Sequence, residues 1–140
     1  MIAVDTSVLI DLLGEDERAD AAEACLRMAL GSGPVVVCAV VVSEVTAGLG
    51  HGSQVMDALE EMGLGFSAIE QRSAVRAGEM QRKYKERLRG SGVASPSPRT
   101  IPDFLVGAHA LLQCTALVTR DASFFRDYFK GLKVIVPSTT

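Results

Sequence analysis

Short apolar runs alternate along this chain with longer stretches of helical spacing. Residues 2–4, 35–38, 65–68, 116–118 and 134–136 read as strands. Between them, 17–30 sets Ala21, Ala24, Cys25 and Met28 on one stripe, and 53–62 sets Val55, Met56, Leu59 and Met62 on another. Stretch 72–88 is long and polar, whereas 103–114 is apolar almost all round. Strands alternating with helices predict one α/β domain, a parallel sheet covered by helices on both faces. The valine-rich runs 35–38 and 134–136 suit parallel strands buried on both sides. The two helical stripes are read as core, the alternative being a groove for an amphipathic partner helix. Segment 90–102, with Pro96, Pro98 and Pro102, has the composition of a flap or a connector.

Composition narrows the class. A chain of 140 residues, 48% hydrophobic and 22% charged, is the size of one domain and buries enough surface to fold without staples. Its longest apolar run, 34–42, is half a membrane span, so no transmembrane helix is expected. The start, Met1-Ile2-Ala3-Val4-Asp5, carries an acid where an export signal needs basic residues. Cys25, Cys38 and Cys114 form no Cys-x-x-Cys pair, which points to reduced core thiols and a cytoplasmic protein. The net charge of −3 hides an asymmetry. Residues 1–71 hold 12 acids and 2 bases, while 72–140 hold 5 acids and 12 bases. Such a split suits a polyanionic partner, or an acidic pocket beside a basic rim.

Four acids fall where such a sheet would gather them. Asp5 ends the first strand, and Glu44 follows the second at a helix opening Ser43-Glu44-Val45. Asp103 opens the apolar helix, and Asp121 follows the fourth strand. In a βαβ sheet the carboxyl ends of strands and the N-termini of crossover helices share one edge, where ligands bind. Three of the acids taken singly are explained by helix capping: Asp5 before Thr6, Thr100 with Asp103 as a capping box, Asp121 before Ala122; Glu44 is less well explained so, Ser43 being the better cap. Four carboxylates drawn to one cleft repel one another and call for hard divalent cations with oxygen ligands, magnesium or manganese. Such a site lowers the pKa of a bound water and stabilises displacement at phosphorus.

These residues carry a resemblance. Val4-Asp5-Thr6-Ser7-Val8-Leu9-Ile10-Asp11 resembles the opening of PIN-domain proteins, and Ser43-Glu44-Val45 their second acidic motif. Ile101-Pro102-Asp103-Phe104-Leu105-Val106-Gly107-Ala108-His109-Ala110 resembles the third, and Leu117-Val118-Thr119-Arg120-Asp121 with the aromatic stretch 124–129 the fourth. The order and spacing hold along essentially the whole chain, 1–140, and are most similar to VapC-type toxins of type II toxin–antitoxin pairs. The resemblance implies a five-stranded sheet of order 3-2-1-4-5 and a metal-dependent endoribonuclease. Asp5 and Asp103 would be the principal Mg2+ or Mn2+ ligands, with Glu44 and Asp121 completing the site. Thr6, Ser7 and Thr119 would hold carboxylates or waters. It also implies a homodimer and a VapB-type antitoxin that lays a helix and an extended tail over the toxin.

His109 departs from the family pattern and is read as a packing residue, being about 120° off the face of Asp103. His51, between two glycines, reads as a loop residue. Among the bases, Arg99 and Arg120 lie nearest the acids and are candidates for phosphate contact, an ion pair with one of the acids being the alternative. Arg82 and Lys83, in the basic stretch 72–89, would guide RNA, or form a solvated helix face. Two other classes compete. One is a PIN-like module that binds RNA or a partner without cutting. The other is a receiver-like phosphoacceptor domain, against which stand the lack of an acid beside Asp5 and the position of Lys133 before the last strand.

Overall fold

The computed structural model describes residues 1–92 and 98–138. In chain order the elements are β1 (Ile2–Val4), α1 (Thr6–Leu13), α2 (Ala19–Ser32), β2 (Val35–Val37), α3 (Ala39–Leu49), α4 (Gly52–Glu61), β3 (Gly65–Phe66), α5 (Gln71–Ser91), α6 (Ile101–Gln113), β4 (Ala116–Val118), α7 (Ala122–Tyr128) and β5 (Lys133–Ile135). The strands pair in parallel in the order 3-2-1-4-5, with Ala3 beside Val36 on one side and Leu117 on the other. That order differs from the 2-1-3-4-5 of receiver-like folds, which removes the phosphoacceptor reading. The chain steps outward from β1 to β3, then returns to β4 and β5 on the far side. Right-handed crossovers running in opposite directions place their helices on opposite faces. The reversal lies between β1 and β4, the switch point at which open α/β sheets present a crevice.

All five predicted strands form, with small shifts. β3 shortens to two residues, and β5 begins at Lys133. β1, β2 and β4 are buried along their whole length, as central parallel strands require. The valine run from 34 to 42 divides between β2 and α3. Val41 and Val45, four apart, turn inward on the helix. Glu44 therefore stands beyond the first turn of α3 and does not open a helix. A continuous β-branched run cannot by itself mark where a buried strand gives way to a buried helix. Gly50, at φ 84°, ends α3 in the left-handed conformation that glycine adopts without strain.

The stripe read on α2 is displaced by one position. Ala22, Leu26 and Ala29 face the core, while Met28 is 78% exposed and Ala24 lies outside. The alanines of this helix offer two overlapping apolar stripes, and the one carrying Leu26 wins because leucine buries far more apolar area. On α4, Val55 and Leu59 are buried as expected, but Met56 is 54% exposed. Of segment 90–102, the first residues continue α5 and the last enter α6. The flap expected there falls largely on 93–97, outside the described residues.

An aromatic cluster anchors α6 to α7. Phe104 meets Phe124 edge-on at 5.2 Å between centroids and Tyr84 at 5.6 Å. Phe129 packs so closely on α6 that a Cβ at Gly107 would lie 2.2 Å from its ring. Phe129 is fully buried and has no space to retreat. Gly107→Ala should therefore cost about 1–3 kcal/mol of stability by overpacking, more than the helix-propensity gain of about 1 kcal/mol. A lower urea midpoint with an unchanged slope would show it. His109 is buried on α6 with Nε2 2.9 Å from Ser67 Oγ, and its Nδ1 has no partner among the described residues. Burial pushes its pKa down, against a smaller upward pull from Glu70, so the ring is neutral and serves packing.

Candidate functional site: an acidic centre at the sheet edge

Asp5 follows β1, and its position is fixed by the sheet. Its N–H donates to Val118 O at 2.9 Å, locking it beside the end of β4. Its side chain caps α1, with Oδ1 accepting from Thr6 N–H at 2.9 Å. Oδ2 accepts from Ser7 Oγ at 3.0 Å and from Thr119 Oγ1 at 2.7 Å. Burial raises the Asp5 pKa above the usual carboxylate range. The hydroxyls of Thr119 and Ser7 and the Thr6 N–H pull it down, and nearby Asp103 adds a further upward push.

The other acids join Asp5 through named contacts. Glu44 Oε1 accepts from Thr6 Oγ1 at 2.8 Å, so a single residue bridges the first two acids. Thr119 is wholly buried. While its hydroxyl donates to Asp5, it accepts from Asp121 N–H at 3.0 Å. Asp121 stands at the N-cap of α7, but its carboxylate does not cap that helix. It pairs instead with Arg99, whose guanidinium also lies 3.9 Å from Asp103 and 4.3 Å from the centroid of Phe124. Asp103 is the third residue of α6 and forms the expected capping box with Thr100. The four acids thus lie along one connected network at the carboxyl edge of β1 and β4.

The bases divide. Arg99 is inside the site, as an ion-pair partner of two acids. Arg120 sends its backbone N–H to Ser7 Oγ at 3.2 Å, but its guanidinium turns to Asp11 in a two-pronged pair, with one arm at 3.1 Å. Arg82 is exposed and pairs with Glu86 at 3.2 Å, whereas Lys83 lines a cleft beside α5. Asp11 has no role among the sequence-based expectations, although it is only 2% exposed. An acid three residues after the buried Val8, on the same helix face, was the available signal. Tyr84 was also missed; its hydroxyl accepts from Arg99 N–H at 2.9 Å and sets the approach to α6.

The donors are all hard oxygens, four carboxylates with three hydroxyls behind them, and no cysteine or histidine joins them. That chemistry fits a hard dication, for which one or two carboxylates and waters suffice. Among the described residues, no three Asp, Glu, His or Cys groups form a ready ligand cluster. Positive charge between Asp103 and Asp121 comes from Arg99.

Comparison with known proteins agrees with this architecture. The family model described as PIN domain matches residues 2–130. The fold is similar to VapBC2 from Rickettsia felis bound to a promoter DNA fragment, with a TM-score of 0.68 and 17% identity, covering 99% of this chain and 100% of that one. It is similar to a toxin–antitoxin complex from Klebsiella pneumoniae, with a TM-score of 0.63, 22% identity and coverage of 99% and 98%. VapBC-1 from nontypeable Haemophilus influenzae gives 0.65, 19%, 97% and 98%. No curated protein matches the chain. Among the described residues, no helix is long and apolar enough to cross a membrane.

Proposed function

This chain belongs to the PIN-domain family, and we propose that it is a VapC-type toxin that hydrolyses RNA phosphodiesters with water and a divalent metal. The observation that carries this reading is the network joining Glu44, Asp5, Asp121 and Asp103 at the switch point of the sheet. Asp5 and Asp103 would hold Mg2+ or Mn2+, with Glu44 and Asp121 completing the set directly or through water. When bound, the ion supplies an acidified water and charge neutralisation at phosphorus. Thr119 and Ser7 fix the Asp5 carboxylate in one orientation, and Thr6 does the same for Glu44. The Ser7 and Thr119 hydroxyls and the Thr6 N–H oppose, without cancelling, the upward push of burial on the Asp5 pKa. Arg99 holds Asp121 in place and, among the described residues, brings a guanidinium to the site that would meet a phosphate oxygen. A basic group there offsets the repulsion that an acidic pocket exerts on a polyanion.

The titles of the structural neighbours describe toxin–antitoxin complexes, and this chain has a surface suited to such a partner. Leu12 and Leu13 of α1, Leu26 and Leu30 of α2 and Met62 after α4 line a groove of about 480 Å³. Glu15 and Glu61 rim it, while Glu23 is paired with Arg27 of the same rim, so an amphipathic helix is the matching antitoxin segment. A homodimer is part of the same reading. The competing reading, a PIN module that binds without cutting, draws on Arg99 standing as the cation for two acids. The deciding experiment incubates the purified chain with structured and single-stranded RNA, with Mg2+ or Mn2+ and then with EDTA. Cleavage that EDTA abolishes is expected; intact RNA with every metal would favour the non-cutting module.

A further inference from the structure

Away from the acidic centre, α5 and the end of α7 enclose a basic cleft of about 320 Å³. Met80 of α5 and Leu111 of α6 lie at its base, and Tyr128 contributes to its wall. Arg76, Lys83 and Arg87 of α5 and Lys130 beyond α7 bring four cations to it, against the single acid Asp127. Asp127 is engaged by Arg87 at 3.0 Å, and Arg76 sits 3.8 Å from Glu79. Lys83 and Lys130 have no ion-pair partner among the described residues. Glu86 pairs with Arg82, which lies outside the cleft, so among the described residues neither acid of α5 pairs with Lys83. A concave surface with paired-off arginines, two free ammonium groups and an apolar base matches a ligand that alternates charge with flat apolar rings.

The cleft is also continuous with the site. The Tyr128 ring lies 5.4 Å from that of Phe124, and Phe124 carries the Arg99 guanidinium at 4.3 Å. Tyr128 further meets Phe104, the residue after Asp103, at 5.8 Å. The wall of the cleft and the floor under Arg99 are therefore one aromatic cluster. We propose that this cleft is an exosite for single-stranded RNA, in which Lys83 and Lys130 contact phosphates outside the bond that is cut. The inference rests on the ribonuclease reading and adds where the strand runs. Basic grooves that track the backbone bind single strands without base selectivity, and because Arg87 lies 5.1 Å over the Tyr128 ring the contact here falls to the phosphates. Electrostatic contacts of this kind are counted by their salt dependence.

The test is anisotropy of a fluorescein-labelled 20-nucleotide RNA with the full chain in EDTA, titrated at several KCl concentrations. Lys83→Ala/Lys130→Ala should weaken binding at least tenfold at low salt and flatten the log–log salt slope by about 1.4, two single-strand contacts. Lys85→Ala/Lys133→Ala, which removes equal charge from exposed positions outside the cleft, should change Kd less than threefold. Parent-like affinity and slope in the first variant, or equal weakening in both, would overturn the exosite. So would a parent that binds no RNA, or displacement of RNA by polyglutamate of equal charge at equal concentration, which would assign the cleft to an acidic protein. Cleavage is read separately. A chain that binds through Lys83 and Lys130 yet never cuts retires the hydrolase and keeps the exosite. Cleavage with unaltered binding in the variant does the reverse.

Discussion

Asp5→Asn is expected to reduce metal-dependent RNA cleavage by on the order of a thousandfold, the several kcal/mol that a bound ion contributes to charge stabilisation. The substitution keeps the shape of the side chain. Its remaining oxygen still accepts from Thr6 N–H, and the hydroxyls of Ser7 and Thr119 can turn to accept from the new amide. Only the charge is lost. The thermal midpoint should stay level or rise, and the sign follows from the burial of Asp5. A raised folded pKa means that burial disfavours the ionised carboxylate in the folded state at pH above the unfolded value, and an amide removes that cost. Cleavage at the parental rate by a folded Asp5→Asn chain would end the acidic-site reading. A large drop in midpoint would instead make Asp5 chiefly a structural cap.

Arg120→Met is expected to produce the largest loss of stability at a residue outside the aromatic core, about 2–3 kcal/mol. Asp11 is almost wholly buried on α1, and Arg120 after β4 is its ion-pair partner. Removing one member of a fully buried pair costs about 3–5 kcal/mol, because the other charge is stranded. The outer part of Arg120 is in water, which lowers the figure. Replacing both, as Asp11→Leu/Arg120→Met, should recover most of the loss, since a hydrophobic pair of similar volume often serves as well. The chain has no tryptophan, so urea unfolding followed by far-UV circular dichroism is the suitable readout. A single variant within about 0.5 kcal/mol of the parent would show the pair to be dispensable, as most surface pairs are.

The sheet was legible because its strands are valine-rich and end on acids or small polar residues. Ile2–Val4 and Ala116–Val118 form exactly as wide as read, for they are buried on both faces and have no polar alternative. The gathering of Asp5, Asp103 and Asp121 followed from topology alone, since parallel strands bring their carboxyl ends to one edge. Glu44 reached the same network from a place in α3 that the valine run concealed. What stayed hidden were contacts between positions far apart. An ion pair of Arg99 or Arg120 with an acid was legible as an alternative, but nothing near Asp11 selects Arg120, 109 residues away, and nothing near Arg99 selects Asp121 among the acids. The face of α2 was ambiguous because alanine weighs so little on either side of a helix.

The place of β1 has a bearing on when activity begins. It lies between β2 and β4, and Asp5 depends on the hydroxyl of Thr119, 114 positions later. Thr119 in turn donates its N–H to Ile135 O at 3.0 Å, a bond made by the last strand. During synthesis Asp5 therefore emerges long before the residues that support it. If the proposed cleavage holds, the acidic centre is inert on a growing polypeptide until Thr119 and Ile135 have joined the sheet.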